Sequence, residues 1–243
     1  MQVTRREFTR LMGVIAGSLA APVPVVLAGR ALESKRPADA KATLAGSDEA
    51  QKARDRIWAD LVAGNRRFME GRETPRNVAA VRKVLVNGQH PQVIILTCAD
   101  SRVSPEIIFD KNLGELFVVR TAGNVADRVA LGSLEYAAEH LKAPLLLVMG
   151  HEKCGAVAAA VSGVKTHSPN LASIIRRINP AVKRVGGQAS GDELLRLAIE
   201  ANARQSADDV LKKSAILAEL VHGGSLGVIT GIYKLGTGEV VRL

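Results

Sequence analysis

Cys98, His151 and Cys154 are the residues of this 243-residue chain best suited to chemistry: the first two stand where apolar runs stop, and the third follows His151 closely. Cys98 follows Ile95-Leu96-Thr97, and His151 follows Val148-Met149-Gly150. In a parallel α/β sheet the carboxyl ends of the strands form one rim, where ligands bind, so side chains far apart in sequence converge there. In His151-Glu152-Lys153-Cys154 the two-residue spacer lets both side chains turn toward one ion as strand gives way to helix. Two thiolates and one imidazole suit zinc, and three protein ligands leave a fourth position for water, the arrangement of catalytic rather than structural zinc. Two thiolates also cancel the dication formally, which weakens the metal as a Lewis acid and calls for compensation elsewhere.

Asp100 and Arg102 follow Cys98 at alternate positions, and in an extended segment such residues share one side. Asp100 is placed to accept a hydrogen bond from the nucleophile at the open position, with Arg102 keeping it ionised through a bidentate pair. The same carboxylate is close enough to take the metal position itself, so Asp100 counts both as a catalytic residue and as a fourth candidate ligand.

The elements that must carry these residues follow from periodicity. Val93-Ile94-Ile95-Leu96, Leu116-Phe117-Val118-Val119 and Leu145-Leu146-Leu147-Val148 are short apolar runs separated by helical stretches, the pattern of buried parallel strands. Leu131, Leu134, Ala138 and Leu141 recur at helical spacing between the second and third. Helices are also expected from Ser47 to Gly71, over 78–86, from Cys154 to about Val161, and around 171–178, 191–213 and 214–222. Val228–Tyr233, a Gly236-Thr237-Gly238 turn and Val240-Val241 close the chain as a hairpin. The expected fold class is α/β: a central, mostly parallel sheet of four strands plus a C-terminal edge strand or hairpin, flanked by helices. Apolar residues make up 47% of the chain and aromatics only 3%, a supply of Val, Ile, Leu and Ala that suits such a core.

Residues 1–28 read as a signal peptide. Arg5-Arg6 precedes an apolar run from Leu11 to about Leu27 that Pro22 and Pro24 interrupt, and Val26-Leu27-Ala28 offers a small-residue cleavage signature. The pattern resembles a twin-arginine export signal and implies a periplasmic or otherwise exported protein. Residues 29–48 read as a flexible linker, and 49–243 as the single main domain. The formal charge is +9; removing three arginines and one glutamate with the leader leaves +7. These cations are spread over many segments with almost no aromatics interleaved, which argues against nucleic acid as a partner. No membrane partner is expected once the signal is cleaved.

Cys98-Ala99-Asp100-Ser101-Arg102-Val103, together with His151-Glu152-Lys153-Cys154-Gly155, resembles the paired signature of β-class carbonic anhydrases. The match runs from about Gln89 to Val157, with looser similarity in the final hairpin and the helices before it. The resemblance implies that family's fold, one zinc per subunit, and carbonate dehydratase activity, a carbon–oxygen lyase reaction converting carbon dioxide to bicarbonate and a proton. It also implies a homodimer or higher homo-oligomer with its pocket at the subunit interface. Gln89, Phe117 and Tyr136 agree with the branch whose substrate pocket is lined by Gln, Phe and Tyr. Thr121 departs from the Asn common at its position, and Ile95 stands where the branch with a regulatory bicarbonate pocket carries Trp.

Two other readings compete. Members of the same fold hydrolyse carbon disulfide or carbonyl sulfide, linear molecules like carbon dioxide. In an oxidising compartment Cys98 and Cys154 also suit a disulfide, which would make the chain a stapled, non-catalytic binding protein. Against that, a twin-arginine route exports folded protein already loaded with metal. Nucleotide chemistry lacks its motif: Gly150 and Gly155 have phosphate-loop spacing, but Ala156-Val157 stands where Lys-Ser/Thr is required. His90, His140, His167 and His222 have no ligand-like neighbours in the sequence.

Overall fold

The computed structural model describes residues 37–243, with side chains from Asp48 onward, and its main compact unit spans Ala40–Leu243. The export signal read over residues 1–28 lies outside the described residues. Strands β1 (Val93–Cys98), β2 (Leu116–Thr121), β3 (Leu145–His151), β4 (Gly227–Tyr233) and β5 (Val240–Arg242) form one sheet in the order β2-β1-β3-β4-β5. The first four are parallel and β5 is antiparallel to β4, as the sequence predicts. The helices are α1 (Pro37–Met69), α2 (Val78–Leu85), α3 (Pro105–Ile108), α4 (Arg128–Glu135), α5 (Gly155–Val161), α6 (Pro169–Val185), α7 (Gly191–Lys213) and α8 (Ala215–His222). Among the described residues, no helix is long and apolar enough to cross a membrane.

Alternation along each buried strand divides the core. Ile94, Leu96, Leu146 and Val148 face Leu131 and Leu134 of α4, Val210 of α7 and Leu217 of α8. Val93, Ile95, Leu145, Leu147 and Met149 face the other way, toward Leu61 of α1, Ile108 and Phe109. Fully burying each such side chain contributes about 1.5–3 kcal/mol, and β1 and β3, which carry the site, are buried along their whole length. A third cluster, with Val157, Ile178, Ala198, Ile199 and Ile232, closes around Cys98 and Cys154.

Two boundaries differ from expectation. Helix α1 already includes residues 37–46, ahead of the expected start at Ser47, so the later part of the expected 29–48 linker is helical; its Ala-rich sequence has high helix propensity. Helix α6 does not stop at residue 178 but continues through Pro180 to Val185, because Ile178 and Ala181, on either side of the proline, are both fully buried. Tertiary packing outweighs the breaker there.

Candidate metal centre

The site is built at the carboxyl rim of the sheet. β1 ends at Cys98 and β3 ends at His151, and because β3 lies directly beside β1 their last residues are neighbours. After His151 the chain turns through Glu152 and Lys153, the latter at φ 51°, and Cys154 then caps the N-terminus of α5. A left-handed residue without a glycine's freedom is a local cost that places Cys154 back toward the strand end. The ligand atoms of Cys98, His151 and Cys154 all lie within 4.8 Å of one another, and all three residues are buried. The spacing on two strands and one helix start thus delivers the cluster that the sequence implied.

The cysteines are free, with their sulfurs 3.9 Å apart. That separation is a hydrogen-bond contact, well beyond the ~2.05 Å of a disulfide. Cys154 lowers the Cys98 thiol, with His151 and the Gly123 N–H adding to the effect and burial opposing it. Cys98 in turn raises the Cys154 thiol, reinforced by burial. A divalent ion bound between the two sulfurs would hold both as thiolates.

His151 supplies the test of fit. Its Nδ1 lies 2.8 Å from the Glu152 carbonyl, which accepts the Nδ1 proton and so leaves Nε2 as the lone-pair atom. Nε2 is buried and has no hydrogen-bond partner among the described residues. An orphaned, buried imidazole nitrogen facing two sulfurs is what a soft-to-borderline dication such as zinc requires.

Asp100 lies beside this nitrogen, its Oδ2 3.8 Å from His151 Nε2. Arg102 grips the carboxylate with both arms, Nε donating to Oδ1 at 2.9 Å and Nη2 to Oδ2 at 2.7 Å, and the Arg102 backbone N–H adds a third bond to Oδ1. The Arg102 hydrogen bond is the main reason the Asp100 carboxyl is held well below the usual carboxylate range, against the opposing effect of burial. Asp100 is therefore an obligate acceptor at neutral pH. Taking the metal position itself would require breaking the bidentate pair.

The substrate-pocket candidates fall into two groups. Phe117 on β2 and Tyr136 at the end of α4 are half-buried with ring centroids 6.2 Å apart, and Tyr136 lies 5.5 Å from the His140 ring across a single π-helical turn, Tyr136–His140. Gln89 is exposed on the loop before β1 and makes no hydrogen bond to the cluster among the described residues.

Several supporting groups were not foreseen. Arg120 of β2 donates from Nε to the Cys98 carbonyl at 3.1 Å and from Nη2 to the Asp100 carbonyl at 2.6 Å, tying down the segment that carries ligand and acceptor alike. The register that pairs Thr97 with Arg120 makes this possible, and register is not visible in one sequence. Gly123 donates its N–H to Cys98 Sγ at 3.3 Å. Thr121, the departure from the family pattern, settles its own loop by donating its hydroxyl to the Val125 carbonyl at 2.8 Å.

A parallel α/β sheet whose carboxyl rim carries a Cys-His-Cys cluster beside an ionised Asp-Arg pair defines a metalloenzyme with a catalytic rather than a structural centre. Comparisons with known proteins specify which. Residues 93–240 match the family model described as carbonic anhydrase. The chain is 38% identical over 190 residues to carbonic anhydrase 2 of Mycobacterium tuberculosis, an alignment covering 76% of this chain and 90% of that relative. It is 36% identical over 190 residues to a carbonic anhydrase of Mycolicibacterium smegmatis, with 75% and 90% covered. Among solved structures it resembles a Coccomyxa β-carbonic anhydrase in complex with acetazolamide, at 29% identity and a TM-score of 0.61 over 78% of this chain and 82% of that one. The chain belongs to the β-class carbonic anhydrase family.

Proposed function

We propose that this chain catalyses the reversible hydration of carbon dioxide to bicarbonate and a proton, with zinc held by Cys98, His151 and Cys154. The observation that carries the reading is the buried, unpartnered Nε2 of His151, facing two sulfurs with an ionised Asp100 carboxylate 3.8 Å away. When bound there, zinc supplies the Lewis acidity that lets water act as a nucleophile near neutral pH. Asp100 Oδ2, beside the position such an ion would take, would orient the attacking water by accepting its hydrogen bond. Arg102 fixes the carboxylate in one orientation and keeps it from taking the proton. Apolar side chains packed around Cys98 and Cys154 shield the cluster from bulk water. Turnover assays of one preparation on carbon dioxide, carbonyl sulfide and carbon disulfide test the substrate; dominant turnover of either sulfur compound would replace the hydratase reading by the hydrolase one.

The same reading makes the chain a homo-oligomer. β2 is an edge strand, and Phe117 and Tyr136 sit half-exposed along it. The segments flanking it expose Val84, Val86, Leu113 and Val129. An apolar edge of this kind is normally covered, and a second copy would bring Phe117, Tyr136 and Gln89 into a shared substrate pocket. We also propose export by the twin-arginine route, a reading supported by the Arg5-Arg6 leader, with zinc acquired before oxidation can join the two cysteines.

A further inference from the structure

We propose that Asn202, on helix α7 and far from the ligands in sequence, is a positioning residue that holds the Gly123 N–H against Cys98 Sγ and so tunes the metal centre. The inference rests on the zinc reading above. Asn202 is 1% exposed, and its Nδ2 donates to the Gly123 carbonyl at 2.9 Å and to Asn124 Oδ1 at 3.4 Å. One turn further along the same helix, Ser206 Oγ accepts from Asn124 Nδ2 at 3.3 Å. Both residues clamped in this way are left-handed, Gly123 at φ 69° and Asn124 at φ 48°. Gly and Asn are the residue types that enter this region most readily, and the hydrogen bonds with α7 select it here. At Gly123 a Cβ would also lie 2.8 Å from Ile178 Cδ1 and 3.2 Å from the Ala156 Cβ, so position 123 excludes a side chain as well.

The orientation of the Asn202 amide is fixed by chemistry. Two acceptors, the Gly123 carbonyl and Asn124 Oδ1, face its nitrogen, so turning it over would set oxygen against oxygen. Its own Oδ1 is buried with no partner among the described residues. An unpaired buried acceptor is a standing cost, and the donor side is what the fold retains it for. The consequence is electronic. An N–H bonded to a thiolate withdraws density from sulfur, making it a weaker donor and leaving more positive charge on the metal. Two thiolates otherwise neutralise a dication, and the Gly123 hydrogen bond supplies the missing compensation on Cys98.

The test uses the full chain with cobalt(II) in place of zinc, read by the thiolate-to-cobalt charge-transfer band, alongside zinc affinity from chelator competition. In Asn202→Ala the band moves to lower energy and zinc binding is strengthened rather than weakened, both because Cys98 Sγ regains the density that the Gly123 N–H withdraws. Gln205→Ala serves as control: Gln205 is buried on the same helix but bonds the Arg177 carbonyl and Arg184, so it disturbs packing and leaves the band in place. An unmoved band in folded, cobalt-loaded Asn202→Ala overturns the proposal. Should that variant fail to fold, the wild-type protein loaded with cadmium-113 is expected to show a scalar coupling between the metal and the Gly123 amide proton, and its absence overturns the proposal equally. Wild-type protein that takes up no metal at all would sink the zinc reading itself, a different result from either.

Discussion

His151 Nε2 lies 3.8 Å from Asp100 Oδ2 and makes no hydrogen bond, although it is buried. The carboxylate does not take the imidazole because Arg102 already holds it from the other side, and Nδ1 is committed to the Glu152 carbonyl. The arrangement keeps a ligand nitrogen free and an acceptor ionised at the same place. The consequences below follow from that division of labour.

Cys98→Ala and Cys154→Ala remove metal and activity together. Zinc quantified after dialysis falls to background in both, with hydration at the buffer rate. Far-UV circular dichroism stays near that of the parent, because the packed strands do not depend on the cluster. Thermal stability falls, since a ligand bound only by the native state stabilises it by about 4 kcal/mol at a thousandfold excess over its Kd.

Asp100→Asn separates binding from turnover. The three ligands are untouched, so zinc stays; the acceptor becomes an amide that cannot take up its role, and hydration falls by about 100-fold or more. Arg102→Lys keeps the charge but loses the fork, and a loss of about tenfold is expected, one charge-assisted hydrogen bond in magnitude. Full activity in Asp100→Asn would refute the assigned role.

Asp110 gives a pH signature remote from the metal. Burial would raise its carboxyl, yet hydrogen bonds from Arg67 and Thr74 outweigh burial and lower it, and Arg76 pairs with its other oxygen. A depressed carboxyl stabilises the fold above its unfolded value of about 3.9 and loses that contribution as pH falls through the folded one. Asp110→Asn should therefore cost about 2 kcal/mol at pH 7, at the low end because both arginines are partly exposed. The gap between parent and variant in urea unfolding narrows below about pH 4.

Gly64→Ala tests how α1 seats on the sheet. A Cβ at this position would fall 1.9 Å from the Phe109 carbonyl oxygen, a backbone atom that cannot swing aside. The helix must lift, opening the cluster of Leu61, Ile108 and Phe109, and a loss of about 1–3 kcal/mol in denaturant unfolding is expected. Unchanged stability would mean that α1 packs elsewhere.

What the sequence made legible were the features set by local pattern. Apolar runs marked the strands, and ligands at the ends of two of them marked the rim, so Cys98, His151, Cys154, Asp100 and Arg102 could be named before the fold was known. What it left unread depended on registration between distant segments. Arg120 reaches the Cys98 and Asp100 carbonyls because β2 pairs with β1 in one register. Gly123 reaches Cys98 for the same reason, and Asn202 reaches Gly123 from a helix whose sequence carries no mark of it. Helix α6 runs past its expected end at residue 178, through Pro180, because burial of Ile178 and Ala181 outweighs a local breaker.

The central claim is that three distant side chains hold one catalytic ion. Stopped-flow hydration of carbon dioxide, with zinc quantified on the same sample before chelation, after it and after zinc is returned, tests this directly. The predicted result is about one zinc per chain, with activity lost on removal and regained on return. Folded protein that hydrates carbon dioxide at full rate without metal, or that takes up no zinc because Cys98 and Cys154 are joined, would contradict it.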